Sequence, residues 1–363
     1  MHFNSKVIHG GISEDAATGA VSIPIYQTST YRQSAIGQHK GYEYSRTGNP
    51  TREALEALIT ELEGGVAGFA FASGLAALST VLMLFQTGDH ILLSDNVYGG
   101  TFRVVDKVFA PLGLTYSLVD TSNLEEVEKA ITLQTKAIFI ETPTNPLMKL
   151  TDLSALAALA KKYQLLSVVD NTFLTPYLQR PIEHGIDVVV HSATKYLGGH
   201  SDLVAGLVVV TTPELKERLH FLQNAVGAIL GPQDSWLLMR GIKTLAVRLD
   251  KAQENAKKVA DFLNTLPEVK KVYYPHIGAM LSFELDTPER AAKLVEKVQM
   301  IALAESLGGI ESLICLPAAM THASIPKKQR EKLGIKDSLL RLSVGIEDSE
   351  DIINDLKQAL GYI

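Results

Sequence analysis

The residues best suited to chemistry in this sequence follow short apolar runs that are typical of buried strands. Asp170-Asn171-Thr172 comes after the run 165–169, and a polar segment that contains Lys195 comes after the next such run. Ligands of open α/β sheets collect beyond the carboxyl ends of the strands. A carboxylate and a lysine are costly at such buried positions unless each has a partner. The spacing therefore predicts that Asp170 and Lys195 meet at one edge of a sheet.

Two further segments lead to the same predicted edge. The run 68–72 continues into Ser73-Gly74-Leu75, small residues that open a helix. A helix start is a favourable anion site, because its free N–H groups and its dipole are positive. The run 137–140 continues into the segment 141–146, which contains Asn145. Each segment alone is typical of an ordinary turn, but their joint arrival favours a functional site.

Pyridoxal phosphate (PLP) chemistry is the first of three interpretations of this set. It needs a lysine for a Schiff base, a carboxylate for the pyridine nitrogen, donors for the phosphate and an aromatic face for the ring. The residues that match these roles, in the same order, are Lys195, Asp170, the Gly74-Leu75 helix start with Ser192 and Thr194, and Tyr98.

Serine acyl transfer is the second interpretation. Ser192-x-x-Lys195 matches S-x-x-K, and Ser94-Asp95-Asn96 matches S-D-N. These motifs occur in the reverse of the order found in penicillin-binding enzymes, and Lys243-Thr244-Leu245 lacks the last glycine of K-T-G. This interpretation is therefore disfavoured. The third interpretation is a binding protein without chemistry. We expect no metal site, because the histidines are dispersed and no H-E-x-x-H motif occurs.

Composition and charge exclude several other classes of protein. The 363 residues include 34 Lys and Arg against 40 Asp and Glu, a net charge of −6, which gives nucleic-acid binding no electrostatic support. The single cysteine, Cys315, excludes an internal disulfide framework. The N-terminus has no apolar signal region, and no window is apolar for long enough to span a membrane. We therefore expect a cytoplasmic protein with neither a nucleic-acid nor a membrane partner.

The elements that must position these residues form an alternating α/β pattern. A helix is predicted to start with Asn49 as its N-cap and Pro50 at its first position. From there to about residue 210, apolar runs alternate with helices, which predicts a mainly parallel sheet covered on both faces. A long helical region from Trp236 to about Leu266 and a second α/β alternation follow. The predicted organisation is an extended arm over 1–45, a large domain over 46–230 and a smaller domain over 231–363.

The motifs, taken in order, resemble those of the Cys/Met-metabolism family of PLP-dependent enzymes. The longest is the lysine segment, residues 192–202. The other matching segments are residues 42–51, 73–77, 98–101, 141–146, 170–172, 304–309, 320–324 (which includes Ser324) and 341–345. Each motif is short, whereas the ordered set covers nearly the whole chain and is specific to the family.

This resemblance implies the fold-type I architecture, similar to aspartate aminotransferase, in a homotetramer whose active sites are shared between two subunits. It implies that Lys195 and Tyr98 are catalytic, with Lys195 bonded to PLP, Tyr98 stacked on its ring and Asp170 paired with its nitrogen. The other cofactor-binding residues that it implies are Gly74, Leu75, Thr172, Ser192, Thr194 and, from the neighbouring subunit, Tyr44 and Arg46. The substrate-binding residues that it implies are Glu43, Asn145, Glu305, Ser306 and Arg341.

Two acidic positions bear on the reaction that the resemblance implies. Glu43 and Glu305 match positions that γ-lyases and γ-synthases of the family share, and an acidic pair there suits the distal ammonium of cystathionine. Bacterial β-lyases usually have an aromatic residue in place of Glu305, and methionine γ-lyases have a cysteine near Gly99-Gly100. The resemblance therefore favours cleavage of L-cystathionine to cysteine, 2-oxobutyrate and ammonia, with some β-elimination alongside. Cystathionine γ-synthase and β-lyase activities are the alternatives.

One departure from the family pattern follows His276. Members usually carry a loop and a basic helical stretch there, whereas this chain passes directly to residues 277–281. We expect this side of the second domain to differ, without an effect on the site residues named above.

Overall fold

The computed structural model describes residues 1–12, 14–323 and 327–362. Its first sheet has seven strands: β1 (Ala67–Phe71), β2 (His90–Ser94), β3 (Thr115–Val119), β4 (Thr135–Glu141), β5 (Leu166–Asp170), β6 (Val188–Ser192) and β7 (Gly206–Val210). Their order is β1-β7-β6-β5-β4-β2-β3. All neighbours are parallel except β7, which runs antiparallel to both β1 and β6. The predicted α/β class with a mainly parallel sheet is confirmed.

This topology brings the carboxyl ends of β1, β4, β5 and β6 to one edge, because β7 reverses direction between β1 and β6. The strands are long enough to cross the core and are apolar on both faces. Val188, Val189 and Val190, for example, are all buried. Polar residues that follow these strands therefore emerge together at the edge.

Eight helices accompany this sheet in the described part of the chain: α1 (Phe3–His9), α2 (Pro50–Glu63), α3 (Gly74–Leu82), α4 (Gly99–Val104), α5 (Leu124–Ala130), α6 (Leu153–Lys162), α7 (Thr175–Leu178) and α8 (Pro213–Val226). The start of α2 is as predicted. The Asn49 side chain accepts from the N–H groups of Thr51 and Arg52 at 3.0 and 3.4 Å, and Pro50 occupies the first position.

The second sheet is smaller and follows two helices, α9 (Pro232–Lys243) and α10 (Leu245–Leu263). Its strands are β8 (Val269–Tyr273), β9 (Met280–Leu285), β10 (Ala302–Leu303), β11 (Leu313–Cys315) and β12 (Leu339–Ser343), in the order β10-β11-β12-β9-β8. Three helices lie among them: α11 (Pro288–Lys297), α12 (Lys327–Lys332) and α13 (Ser349–Leu360). The helical region predicted from Trp236 to about Leu266 is thus two helices, which meet at Thr244.

The connection between β8 and β9, residues 274–279, is short. The Tyr274 hydroxyl donates to the carbonyl oxygen of Gly278 at 3.1 Å, and the Gly278 N–H donates to Gln253 Oε1 at 2.7 Å. His276 and Gly278 have φ values of 59° and 74°, in the left-handed region that tight turns use. The chain therefore closes this hairpin directly after His276.

The N-terminal region differs from the extended arm predicted over 1–45, because residues Phe3–His9 form α1. No side chain caps this helix at His2, and seven residues are too few for a stable isolated helix. Tertiary packing supports it instead: Val7 is buried, and the Phe3 and Tyr177 rings lie 5.2 Å apart. Residues 14–48 contain neither a helix nor a strand.

Within the described ranges, no helix combines the length and the apolar character that a membrane span requires.

Candidate active site

A cavity of about 450 Å³ lies at the edge where the first sheet meets β12 of the second. Its walls come from segments that are far apart in sequence, as the alternation of strands and helices predicts. Twelve of the fifteen site residues predicted from the sequence line it: Gly74, Leu75, Tyr98, Asn145, Asp170, Thr172, Ser192, Thr194, Lys195, Glu305, Ser306 and Arg341.

Lys195 lies just beyond β6, and its Nζ donates to the Ser306 hydroxyl at 2.6 Å. Burial lowers the pKa of Lys195 to about 8, and the nearby charge of Arg341 acts in the same direction. The carboxylate of Glu305 opposes this shift. An appreciable fraction of the amine is therefore unprotonated near neutral pH, which suits a nucleophile or a general base.

Asp170 ends β5, and one of its oxygens is fixed by Thr172. Oδ1 accepts from the Thr172 N–H at 3.0 Å and from the Thr172 hydroxyl, which in turn accepts from the Ser192 N–H at 2.8 Å. Both bonds go to Oδ1, so Oδ2 stays available to a partner in the cavity. Burial raises the pKa of Asp170, so a cationic partner is needed to keep it fully ionised.

The start of α3 forms the part of the cavity that suits an anion. The Ser73 side chain caps the helix by accepting from the Ala76 N–H at 3.0 Å. A Cβ atom at Gly74 would lie 2.8 Å from the Cβ of Ser192, so only glycine allows this approach. Ser192 therefore sits directly against the N–H groups of the helix start, with Thr194 on the same wall of the cavity.

Arg341 on β12 is the buried cation of the site. Its Nη1 donates to Asn145 Oδ1 at 3.0 Å and its Nη2 to the carbonyl oxygen of Ser306 at 2.8 Å. Ser306 has a φ of 87°, which is rare for a residue with a side chain. This conformation lets one serine contact both cations, Arg341 through its carbonyl oxygen and Lys195 through its hydroxyl.

Sequence reasoning missed three polar residues that belong to this site. Glu141 lines the cavity at the end of β4, and its Oε2 accepts from the Tyr98 N–H at 2.7 Å. Arg103 lines it from α4. The buried His322 donates from Nε2 to the carbonyl oxygen of Asn145 at 3.2 Å, and burial lowers its pKa to about 4. Glu141 directly follows an apolar run, which was a usable signal, and His322 lies in a motif quoted above.

The three remaining predicted residues, Glu43, Tyr44 and Arg46, do not line the cavity of this chain. Arg46 Nη1 donates to the carbonyl oxygen of Asn224 at 2.9 Å, and its guanidinium lies 5.6 Å from the Tyr44 ring centre. Glu43 Oε1 lies 3.5 Å from His39 Nε2. All three are exposed. Ser324 of the motif 320–324 lies outside the described residues.

The alternative chemistries find little support in this geometry. Lys195 donates to Ser306, and no hydrogen bond joins its amine to the Ser192 hydroxyl in the described part of the chain, so the S-x-x-K motif has no activated serine. Across residues 1–12, 14–323 and 327–362, no group of three His, Cys, Asp or Glu side chains is arranged to hold a metal ion.

Comparison with known proteins decides the family. The family model described as "Cys/Met metabolism PLP-dependent enzyme" matches residues 4–361. This chain belongs to that family. A cystathionine β-lyase of Lactococcus lactis subsp. cremoris (strain MG1363) is 59% identical over 373 residues, 98% of each chain. A cystathionine γ-lyase of Bacillus subtilis (strain 168) is 58% identical over 379 residues, all of both chains.

Solved structures agree with the sequence relatives. The crystal structure of cystathionine γ-lyase from Lactobacillus plantarum in complex with L-serine matches with a TM-score of 0.96 and 54% identity, over 99% of this chain and 98% of that one. The fold-type I architecture is thereby confirmed. The alignment with the B. subtilis enzyme spans 379 positions against 363 residues here, so that relative has residues that this chain lacks.

The cofactor of this chain is PLP, and the cavity fits it. The cavity includes the start of α3 at Gly74, where a helix has free N–H groups that suit a phosphate, and Asp170 Oδ2 is available to a protonated ring nitrogen. Lys195 offers an amine of lowered pKa. The chain is therefore an enzyme of the carbon–sulfur lyase and synthase family. Its relatives carry both β-lyase and γ-lyase names, so membership of the family does not decide between these reactions.

Proposed function

We propose that this protein is a cystathionine γ-lyase, which converts L-cystathionine and water to L-cysteine, 2-oxobutyrate and ammonia. The observation that carries the proposal is the position of Glu305 in the same cavity as Lys195 and Arg341. Arg341 suits the substrate α-carboxylate, and Glu305 suits the ammonium at the other end of cystathionine. A substrate with charges at both ends matches this arrangement better than a short amino acid does.

Bound PLP supplies an electron sink that makes the protons of the substrate Cα and Cβ acidic. Lys195 Nζ, when free of the cofactor, takes the proton from Cα and then from Cβ. The sulfur leaves Cγ and becomes the thiol of cysteine. Ser306 holds Lys195 within 2.6 Å of its hydroxyl and so keeps the amine on the side of the cavity where Arg341 and Asn145 orient the substrate. Tyr98, which lines the cavity, would stack on the PLP ring and limit the access of water to it.

The remaining cofactor contacts follow from the walls of the cavity. Asp170 pairs with the ring nitrogen, held by Thr172. The phosphate would bind at the start of α3. The residues that would hold it are Gly74, Leu75, Ser192 and Thr194. A phosphate of this charge also calls for a guanidinium.

We propose that Arg46 supplies this guanidinium from a neighbouring subunit, with Tyr44 and Glu43, in a homotetramer with shared active sites. In the single chain, the region around these residues exposes apolar side chains such as Ile36, which is fully exposed, and Val21, which is 84% exposed. Exposed apolar side chains near charged, unburied site residues favour a surface covered by another subunit.

A second candidate is β-elimination of the same substrate, because a 59% identical relative carries the β-lyase name. That reaction needs the Cα proton only and yields homocysteine, pyruvate and ammonia. Cystathionine γ-synthase activity, which joins cysteine to an O-activated homoserine, is the third.

Product analysis with L-cystathionine tests the proposal. Chromatographic separation of the 2-oxo acids should show 2-oxobutyrate in excess over pyruvate. Pyruvate in excess would establish a β-lyase instead, and cystathionine formation from cysteine and O-acylated homoserine at a higher rate would establish a synthase. Glu305→Gln, which preserves shape and removes charge, should raise KM for cystathionine about tenfold. An unchanged KM would show that Glu305 does not bind the distal ammonium.

A further inference from the structure

Glu141 is a buried carboxyl that the proposed reaction does not use. It lies at the end of β4, directly opposite Asp170 on the neighbouring strand β5, because the parallel register pairs Glu141 with Asp170. Both side chains line the same cavity, and Glu141 is only 6% exposed. Two carboxyls on adjacent strands, on the same face and largely out of water, cannot both be charged at low cost.

The hydrogen bonds of the two carboxyls differ. Asp170 Oδ1 accepts two hydrogen bonds, from the N–H and the hydroxyl of Thr172, which stabilise a charged carboxylate. Glu141 Oε2 accepts from the N–H of Tyr98 at 2.7 Å. Burial first and the charge of Asp170 second raise the pKa of Glu141 well above its usual range, although hydrogen bonds from the backbone N–H groups of Tyr98 and Asn145 and the charge of Arg341 oppose them. The negative charge of the pair is therefore better placed on Asp170.

The N–H that Glu141 binds belongs to the residue that stacks on the cofactor. Tyr98 is the N-cap of α4, and its own side chain makes no capping hydrogen bond. A Cβ atom at Gly100 would overlap the Tyr98 ring, so the ring lies against the first turn of α4. Tyr98 as a whole residue is 41% exposed, so neighbouring side chains do not enclose it. The bond to Glu141 therefore fixes the backbone from which the ring projects.

We propose that Glu141 is a positioning residue for Tyr98. The Glu141 carboxyl acts as an uncharged hydrogen-bond acceptor and leaves the negative charge at this edge of the sheet to Asp170. A second carboxylate there would compete with Asp170 for the protonated ring nitrogen. A neutral acid keeps the bond to Tyr98 without that competition. The inference rests on the proposed placement of Tyr98 and Asp170 around PLP.

The substitutions Glu141→Gln and Glu141→Leu separate the two properties of this side chain. Glutamine keeps an acceptor oxygen of the same reach and carries no charge, so it mimics the neutral acid. Leucine removes the acceptor. The matched control is Ser94→Ala, because the Ser94 hydroxyl accepts from the backbone N–H of Glu141 at 3.2 Å and touches neither the carboxyl nor Tyr98.

Two measurements report on the variants without turnover. Fluorine NMR of protein labelled with fluorotyrosine follows the Tyr98 signal, which the Tyr98→Phe variant assigns among the twelve tyrosines. Titration with PLP, followed by its visible absorption, gives the cofactor Kd. Glu141→Leu should shift the Tyr98 signal and weaken PLP binding about tenfold, whereas Glu141→Gln and Ser94→Ala should match the parent protein.

Either of two results would overturn the inference: Glu141→Leu that leaves both the Tyr98 signal and the Kd unchanged, or Glu141→Gln that is impaired as strongly as Glu141→Leu. Should Glu141→Leu fail to fold, Glu141→Gln is judged against Ser94→Ala instead: a changed Tyr98 signal or a weaker PLP Kd in Glu141→Gln but not in Ser94→Ala would overturn the inference. The outcome is separable from the proposed reaction, because pyruvate as the main product from cystathionine would remove the γ-lyase assignment and leave these binding data intact.

Discussion

The cavity and the N-terminal segment 14–48 contain predicted site residues in very different states. Twelve predicted residues meet around the cavity within one chain, where Arg341, Ser306 and Lys195 are joined by hydrogen bonds. In the segment, the side chains of Glu43, Tyr44 and Arg46 are exposed, and the Arg46 guanidinium donates to a backbone carbonyl oxygen, that of Asn224. The difference separates predicted residues that the fold of one chain brings together from those for which we propose a role in a neighbouring subunit.

The comparison also shows which properties of the site are already present in a single chain. In the cavity, the pKa of Lys195 is already lowered to about 8 by burial and by Arg341. In the segment, Arg46 is exposed, and the contact that we propose between Arg46 and the phosphate requires a neighbouring subunit. Four predictions test this contrast, from the largest effect to the smallest.

Lys195→Ala should remove turnover of cystathionine by at least about 10³-fold, because it deletes both the covalent anchor of PLP and the proposed base. Release of 2-oxo acid from the purified variant measures the effect. Ser192→Ala is a useful companion, because it alters a phosphate contact and spares the amine. Turnover by Lys195→Ala at a tenth of the parent rate or more would place the chemistry elsewhere.

Arg46→Ala should weaken PLP binding about 10- to 100-fold, which is the cost of losing a charge-assisted contact to phosphate. If Arg46 acts in a neighbouring subunit, mixed oligomers of Arg46→Ala and Lys195→Ala chains should regain activity, because one interface then has both intact residues. Mixtures with the double variant serve as the control and should stay inactive. Equal activity in both mixtures would show that Arg46 does not act in the active site of a neighbouring subunit.

The lowered pKa of Lys195 should appear in the pH dependence of stability of the cofactor-free protein. Between pH 8 and about 10.5 the unfolded chain binds more protons at this residue than the folded chain. The free energy of unfolding therefore rises with pH over this range. Lys195→Met should therefore stabilise the protein most below pH 8, by a few kcal/mol at most, and progressively less above it. A difference in unfolding free energy that stays constant with pH would contradict the shift.

Asn49 joins the N-terminal segment to α2, and its substitution should have the smallest effect. It caps α2, and its Nδ2 also donates to the Tyr26 carbonyl oxygen at 2.9 Å and to Ser45 Oγ at 3.2 Å. Asn49→Ala should lower the unfolding free energy by about 1 kcal/mol. Asn49→Asp keeps the cap and loses the donor, so it should preserve the stability of α2 and loosen only the segment. Denaturant titration distinguishes the two variants, and equal losses would show that the donor, not the cap, is what stabilises.

Strand ends were the features most predictable from the sequence, and they located most of the site. Apolar runs end where polar residues begin, so Asp170 and Lys195 were found from spacing alone. Glu141 was missed as a functional residue because its importance depends on the register of β4 against β5, which the sequence of either strand does not contain. The bond between Arg341 and Asn145 likewise joins residues 196 positions apart.

The N-terminal helix α1 shows a second reason for failure. Its seven residues have neither a capping side chain nor an acidic residue in the first turn, so local signals favour an irregular conformation. Burial of Val7 and the contact of Phe3 with Tyr177 override them. Glu43, Tyr44 and Arg46 are a different case, because only the resemblance to the family predicts them as site residues, and they do not line the cavity of one chain.

The short hairpin connection after His276 has a practical use. Its ends are held together by Tyr274, Gly278 and Gln253, and even a doubling of loop length costs only about 0.6 kcal/mol. An affinity peptide inserted next to the exposed His276 should therefore leave the cavity residues in place. Two distinguishable peptides, one on each kind of chain, would allow mixed oligomers of known composition to be isolated.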